Sequence, residues 1–264
     1  MPVLVRRLVA LVLAATLISC AAKLPARPSG TAAPDASATT LFTEVTRQCR
    51  GLRTVTTVIA LSGRAGSERL RGRLHAGFAA PQAIRLEGIA PFGPPAFVLA
   101  GQQDRATLFF PRENRVLPDT PVADVLERLT GLDLGADDLR LVLSGCLVAE
   151  APTSGGQSWT NGWKSVPLAP DRVAYLRQAS AMWVVAGADY GAWRIDYADH
   201  LNGWPRTVRV RSSQGGVVDL TARLDELEIN VDLPSSAFVV DVLPDATPIS
   251  LDDLRSVAPL RGGS

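Results

Sequence analysis

Apolar or small residues alternate with charged residues through much of this 264-residue chain. In the stretch Glu68–Ala79, every second residue from Leu70 to Phe78 is apolar or glycine, whereas the alternate positions from 69 to 75 carry three arginines and His75. Because successive side chains of a β-strand point to opposite faces, this period predicts a half-buried strand with one face in water. Similar short runs, separated by proline and glycine clusters, indicate about ten or eleven antiparallel strands.

Helical spacing interrupts the strands in one region. Apolar residues recur at helix spacing through Val122–Leu129, and Gly131 follows where a helix end is expected. Asp137 or Asp138 is suited to begin a second short helix. A sheet of so many strands curls, and two amphipathic helices would cover it. We therefore expect an α+β, mainly β fold: a strongly curved antiparallel sheet with short helices against one mouth.

The N-terminus has the pattern of an export signal. Arg6 and Arg7 precede an apolar run, Leu8–Leu17, which is too short to span a bilayer. One interpretation is an ordinary cleaved signal with a cysteine nearby by chance. The alternative, which we favour, is that LISC, ending at Cys20, resembles the bacterial lipobox, in which the cysteine is acylated and the chain is cut before it. Several acyl chains anchor a protein stably.

These features divide the chain into four parts: a lipoprotein signal peptide (1–19), a Pro-rich flexible tether (20–40), a folded domain (41–245) and a C-terminal extension (246–264). Apolar residues make up 47% of the chain and charged residues 20%, as in folded globular proteins. Of 27 basic and 26 acidic residues, only Arg6 and Arg7 lie in the signal. The remaining balance gives no electrostatic reason to bind nucleic acid.

The cysteine count leaves two thiols once Cys20 carries lipid. Cys49 and Cys146 are either two free buried thiols or a disulfide bond, and export to an oxidising compartment favours the bond. Such a bridge would close a loop of about a hundred residues and stabilise the fold by restricting the unfolded chain.

Motifs that carry enzyme chemistry are absent from the sequence: there is no nucleophile elbow, zinc-protease motif, P-loop or dinucleotide-binding glycine pattern. His75 lies on the arginine-bearing side of its strand, and His200 lies in a turn-like stretch. Asp137 and Asp138 are adjacent, so on a helix they point about 100° apart. We therefore predict no enzyme activity, no metal site and no cofactor other than the covalent lipid on Cys20.

Two aromatic features allow alternative interpretations. The five tryptophans all lie in the second half, where they either pack the core or line an apolar ligand cavity. The turn PFGPP places Phe92 between Pro91 and Gly93, at a position where turn residues are usually small or polar. Phe92 either folds back onto the core or is held out in solvent, where a membrane or a lipidated ligand would bury it.

The segments Ile84–Leu117 and Val122–Leu147 together resemble the outer-membrane lipoprotein receptor of the Lol lipoprotein-sorting pathway. The shared order is a strand, an N-P-L-G-type turn, two strands, a helix ending in LTG and a second short helix. The resemblance extends from about Leu52 to Leu147 and weakens towards Asp232. This sequence differs by carrying Phe92 in place of the turn leucine, by its two extra cysteines and by its C-terminal extension.

The resemblance implies a half-open β-barrel with helices as a lid over an apolar cavity. It implies a lipid-anchored protein of the outer membrane, facing the periplasm and monomeric, that receives acylated lipoproteins from a periplasmic carrier of the same fold and inserts them. The turn Pro91, Phe92, Gly93 would then contact the membrane. The alternative function is a non-catalytic structural or interaction lipoprotein whose core is fully packed. A cavity of several hundred Å³ would distinguish the first from the second.

Overall fold

A computed structural model describes residues 24, 26–146, 152–153, 155–213, 217–254 and 260. The predicted signal peptide and Cys20 lie outside these described residues. Most of the described chain forms one sheet of fifteen strands. The strands are β1 (Ala32–Asp35), β2 (Thr54–Ala65), β3 (Glu68–Ala79), β4 (Ala83–Gly88), β5 (Val98–Gln102), β6 (Arg105–Phe110), β7 (Arg115–Pro121), β8 (Gly156–Trp159), β9 (Lys164–Ala169), β10 (Arg172–Ala179), β11 (Met182–Tyr190), β12 (Trp193–Ala198), β13 (Thr207–Ser212), β14 (Val218–Ile229) and β15 (Thr247–Pro248).

The sheet is strongly curved and unclosed, with the spatial order β1, β8 to β14, then β2 to β7, then β15. Neighbouring strands are antiparallel except β15, which runs parallel to β7. The expected fold class is confirmed, but the strand number of ten or eleven is too low. Two of the additional strands, β1 and β15, are four and two residues long, so neither carries an alternating pattern that the sequence could display.

The alternation predicted for β3 is present in the structure. Leu70, Leu74, Ala76 and Phe78 are buried on the concave side, whereas the arginines and His75 between them are exposed. In register, β3 pairs with β2 along its whole length but with β4 only from Leu74 onward. The concave side of the sheet therefore carries the main core.

Three α-helices are present among the described residues: α1 (Ser37–Val45), α2 (Val122–Thr130) and α3 (Ala136–Ser144). As predicted, α2 ends at Gly131, which has the left-handed conformation (φ +75°) that glycine adopts without strain. The predicted start of α3 at Asp137 or Asp138 is too late. Gly135 is the N-cap, and Asp104 supplies the missing acceptor by taking a 2.9 Å hydrogen bond from the Ala136 N–H.

The N-terminal part of the domain begins earlier than predicted. The tether was expected to reach residue 40, but β1 pairs with β8 and α1 begins at Ser37, with Ala38 fully buried. Lys164 pairs with Asp35 and, together with the Ser37 hydroxyl, lowers the pKa of Asp35 to about 2. A segment of small residues without large apolar groups predicts a flexible tether. In the structure, the small size of residues such as Ala38 instead allows close packing.

Further upstream, Arg27 is held against the outer side of the sheet. Its Nε donates to Asp196 Oδ1 at 2.7 Å, and its Nη2 donates to the carbonyls of Ala188 and Ile195. The guanidinium also lies 4.7 Å from the Tyr175 ring centroid. The folded part therefore includes Arg27, within the range expected to be flexible.

The C-terminal extension is also part of the fold. Thr247 and Ile249 donate hydrogen bonds to the carbonyls of Asn114 and Val116, which places the extension beside β7. Leu254 and Leu260 are buried in the main core. The extension is therefore a structural element of the same domain.

A disulfide bond joins Cys49 and Cys146, the pair that the sequence left open between a bond and free thiols. Their Cα atoms are 5.5 Å apart, and 97 positions separate them along the chain. Cys49 lies in a 3-10 helix (Arg47–Gly51) between α1 and β2, and Cys146 follows Gly145, the C-cap of α3. The bond therefore ties the end of α3 to the segment that leads into β2.

Candidate functional site

An apolar cavity lies between the concave side of the sheet and the two helices α2 and α3. Its volume is about 80 Å³. It is lined by residues of β2, β3, β4, β5, β13 and β14, of both helices and their connection, and of the C-terminal extension: Ile59, Leu61, Leu74, Leu86, Phe97, Leu99, Leu126, Leu129, Thr130, Leu132, Leu134, Leu139, Val142, Leu143, Val208, Val210, Leu220, Ala222 and Leu260.

Among the described residues that line the cavity, Thr130 is the one with a polar side chain, and its hydroxyl is hydrogen-bonded to backbone groups. Thr130 Oγ1 donates to the Leu126 carbonyl at 2.7 Å and accepts the Leu132 N–H at 3.3 Å. A buried hydroxyl that is already bonded offers little to a polar ligand. The cavity therefore presents a hydrocarbon surface, suited to a group that also lacks hydrogen-bonding atoms.

The helix α3 is anchored on its outer side. Arg140 is buried, donates through Nη1 to the Leu52 carbonyl at 2.9 Å, and bonds the Asp137 carboxylate at 2.6 Å. Together with the Cys49–Cys146 bond, these contacts hold α3 to one short segment of chain. The helix α2 instead begins directly at the end of β7 and pairs through Arg128 with Asp252 of the C-terminal extension.

The turn between β4 and β5 is held out from the fold. Phe92 is 87% exposed, so it does not fold back onto the core. At the base of the turn, Gly88 N–H donates to the Phe97 carbonyl at 3.0 Å and Ala96 N–H donates to the Gly88 carbonyl at 2.9 Å. The guanidinium of Arg112, in the β6–β7 turn, donates to the Phe92 carbonyl. The aromatic ring is thus presented on a braced turn, whose base residue Phe97 lines the cavity.

The tryptophans do not line the cavity. Trp163 is buried with Val184 and Ala186 in a separate small cluster on which Trp159 packs, and the other three tryptophans pack against the main core. The interpretation of the tryptophans as cavity residues is therefore wrong. Leucine and valine residues form the lining instead, and no sequence signal marks them because they follow the ordinary spacing of core positions.

The ionisable residues considered for chemistry have structural partners or face solvent. His200 Nε2–H donates to the Val185 carbonyl at 3.0 Å, and burial lowers the pKa of this imidazole. His75 is exposed. Asp137 is paired with Arg140, while burial raises the pKa of Asp138. Across the described ranges, no group of three histidine, cysteine or acidic side chains is placed to hold a metal ion.

Within the part of the chain that the structure describes, no helix has both the length and the apolar character needed to cross a membrane.

No known family profile matches the sequence, and no curated protein matches it. Several solved structures are similar in fold. A DUF1329 family protein from Desulfovibrio piger has a TM-score of 0.48 at 11% identity, covering 78% of this chain and 98% of that one. A LolA superfamily protein from Nitrosomonas europaea has a TM-score of 0.46 at 11% identity, covering 80% and 100%.

A protein domain from Vibrio parahaemolyticus, named for outer-membrane lipoprotein sorting, has a TM-score of 0.42 at 12% identity and covers 74% of this chain and 95% of its own. The three structures are 11–12% identical to this chain. At such identities the likenesses concern the fold alone, so the function rests on the cavity and the exposed turn of this chain.

Proposed function

We propose that this protein is a lipid-anchored envelope lipoprotein that binds acyl chains in the cavity and helps to receive or insert lipoproteins at the outer membrane. It acts without catalysis, as a monomer. Its partners are acylated lipoproteins and a periplasmic carrier of the same fold. The observation that carries the proposal is the hydrocarbon lining of the cavity beneath two short helices.

An acyl chain needs more room than the cavity holds as it stands. Ligand pockets have volumes of about 300–1,000 Å³, against about 80 Å³ here. Binding therefore requires α2 and the connection Gly131–Gly135 to move away from the sheet, while α3 stays held by Arg140 and the disulfide bond. In this proposal the narrow cavity of about 80 Å³ is the closed form of the site.

In this proposal, a lipid anchor at the N-terminus and the exposed turn together hold the cavity near a membrane. Acylation of Cys20 would hold the domain at the bilayer surface, and the turn Pro91, Phe92, Gly93 would contact the lipid. Phe97, which lies at the base of that turn and also in the cavity lining, connects the two regions. An acyl chain would then pass between the cavity and the membrane beside this turn.

A second candidate function is favoured by the small cavity volume. A protein whose core is already packed would serve as a structural or interaction lipoprotein of the envelope, with no acyl ligand. The two candidates differ in whether the cavity opens, so the test is made on the cavity itself.

The substitution Ala222→Leu tests the cavity. Ala222 is buried and lines the cavity, so three added carbons fill space that an acyl chain would use. Native mass spectrometry of protein purified from cell membranes should show acylated lipid or peptide bound to the wild-type protein, with occupancy at least about tenfold lower in the variant. Filling a void costs little stability, so the melting temperature should not fall by more than a few degrees.

Ala192→Leu is the matched control, because Ala192 is exposed in the β11–β12 turn and the same side chain there leaves the cavity unchanged. Its occupancy should equal that of the wild type. A wild-type protein that carries no acyl species, or an Ala222→Leu variant with unchanged occupancy, would refute acyl binding and favour the packed-core function.

A further inference from the structure

Leu260 of the C-terminal extension lies inside the cavity lining. It is 5% exposed, and among the described residues of the extension it is the one whose side chain lines the cavity. It lies over Gly72 of β3, where a Cβ atom would come within 3.2 Å of Leu260 Cδ2. Gly72 occupies an inward position of β3, between Leu70 and Leu74, so the missing side chain leaves the gap that Leu260 fills.

The backbone of Leu260 bonds the edge of β3 at a point beyond the described register of β4. The register of β4 with β3 ends at the pair Leu74–Gly88, and the last contact is Ile89 N–H to the Arg73 carbonyl at 2.8 Å. Beyond that point the chain leaves in the turn that carries Phe92. Arg71, two residues along the same edge, donates its N–H to the Leu260 carbonyl at 2.8 Å. Leu260 is therefore next to the base of the exposed turn.

The extension reaches β3, in the middle of the sheet, from one end of the sheet. It pairs with β7 through β15, and then Asp252 pairs with Arg128 on α2. Leu254 follows and is almost fully buried. The described residues of the extension thus contact β7, the helix α2 and β3. The extension therefore touches both the sheet side and the helix side of the cavity.

We propose that Leu260 is an internal plug that occupies the place of an acyl chain at the cavity's opening beside the Phe92 turn. This inference rests on the proposed function. A branched apolar side chain in a hydrocarbon-lined space is chemically equivalent to a short piece of the ligand. An incoming acyl chain displaces Leu260, and the return of Leu260 helps to expel the chain at the membrane. The extension therefore lowers the affinity for acyl chains and favours their release.

The test uses the full chain and a fluorescent fatty acid, 11-dansylaminoundecanoic acid. Leu260→Ala removes most of the plug, so the variant should bind the probe roughly tenfold to a hundredfold more tightly than the wild type, the equivalent of burying one leucine side chain. Leu254→Ala is the control, because Leu254 is buried in the same extension but does not line the cavity. It should lower stability without raising the affinity.

A second measurement needs no variant. Saturating the wild-type protein with the probe should speed hydrogen exchange of the Arg71 amide, which loses its bond to Leu260, and leave that of Gly88 N–H unchanged. Equal affinity of wild type and Leu260→Ala, with Arg71 still protected, would overturn the plug while leaving acyl binding intact. No probe binding by either protein would overturn acyl binding and the plug together.

Discussion

Arg27 shows how a single residue can extend a fold into a segment that looks unstructured. The stretch 23–40 contains three prolines and few large apolar residues, a composition that predicts a flexible tether. Its ordering depends on Asp196, 169 positions further along the chain. A partner at that distance leaves no mark in the local pattern, so this contact could not be predicted from the sequence.

We predict that Arg27→Ala destabilises the protein by about 2–3 kcal/mol. The substitution leaves the buried Asp196 carboxylate with Arg211 as its remaining cationic partner, and lost hydrogen bonds to buried charged groups cost this much. Urea unfolding measures the change. Arg194→Ala is the control, because Arg194 is more exposed and lies 3.6 Å from Asp189; it should change stability by less than about 0.5 kcal/mol. Equal effects would contradict a special role for Arg27.

Among the elements, the helices α2 and α3 were predictable and α1 was not. In α2 and α3, leucine and valine recur at helix spacing, and glycine stops each helix: Gly131 and Gly145 both have φ of +75°. In α1, SATTLFTEV, buried positions include Ala38 and Phe42, but threonines dominate the stretch. Threonine has a weak helix propensity and the adjacent segment is Pro-rich, so the sequence pattern does not predict this helix. Packing against the rest of the domain stabilises it, rather than its own propensity.

The disulfide bond is an element-scale link, because it joins α3 to the segment before β2. We predict that the free energy of unfolding of the double variant Cys49→Ser, Cys146→Ser is about 3–5 kcal/mol lower than that of the oxidised wild type. The reason is that the bond closes a loop of nearly a hundred residues. Urea unfolding measures it. Adding reductant should lower the wild-type value to a similar level and leave the variant unchanged. An oxidised wild type no more stable than the variant would contradict the prediction.

At the scale of the whole molecule, the curved sheet was predictable from the sequence pattern, whereas a cavity was implied only by the family resemblance and its lining residues were not predictable. Alternation and turn residues identify strands one at a time, and their number implies curling. The cavity is built from lining residues between Ile59 and Leu260. Which core positions leave a gap depends on how distant side chains meet, and that is set by three-dimensional packing. The exposed turn around Phe92 was identifiable because a large apolar residue between prolines is unusual.

We predict that Phe92→Glu leaves folding intact and abolishes the transfer of a lipoprotein into liposomes. Burying one phenylalanine side chain in lipid is favourable by about 1.5–3 kcal/mol, which is one to two decades in an equilibrium constant. Burying a carboxylate there is unfavourable, so the glutamate opposes insertion of the turn. Fluorescence transfer of an acylated protein to vesicles measures the rate, and circular dichroism checks the fold.

Met182→Glu is the matched control for Phe92→Glu. Met182 is also an exposed apolar residue at a strand end, 54% exposed at the start of β11, away from the turn between β4 and β5. Its transfer rate should match that of the wild type. If Phe92→Glu transfers as fast as Met182→Glu, the turn does not insert into the membrane.

The contacts of Arg27 also limit the distance between the folded domain and a lipid anchor on Cys20. With lipid on Cys20, as proposed, seven peptide units separate the anchor from the first fixed point, a reach of at most about 25 Å, whereas a tether of twenty residues would reach about 70 Å. The volume that the domain can explore is then about twentyfold smaller, and the local concentration of the Phe92 turn at the bilayer surface rises in proportion. A short tether of this kind suits a protein that transfers its cargo to the membrane that anchors it, because the domain then stays close to that membrane.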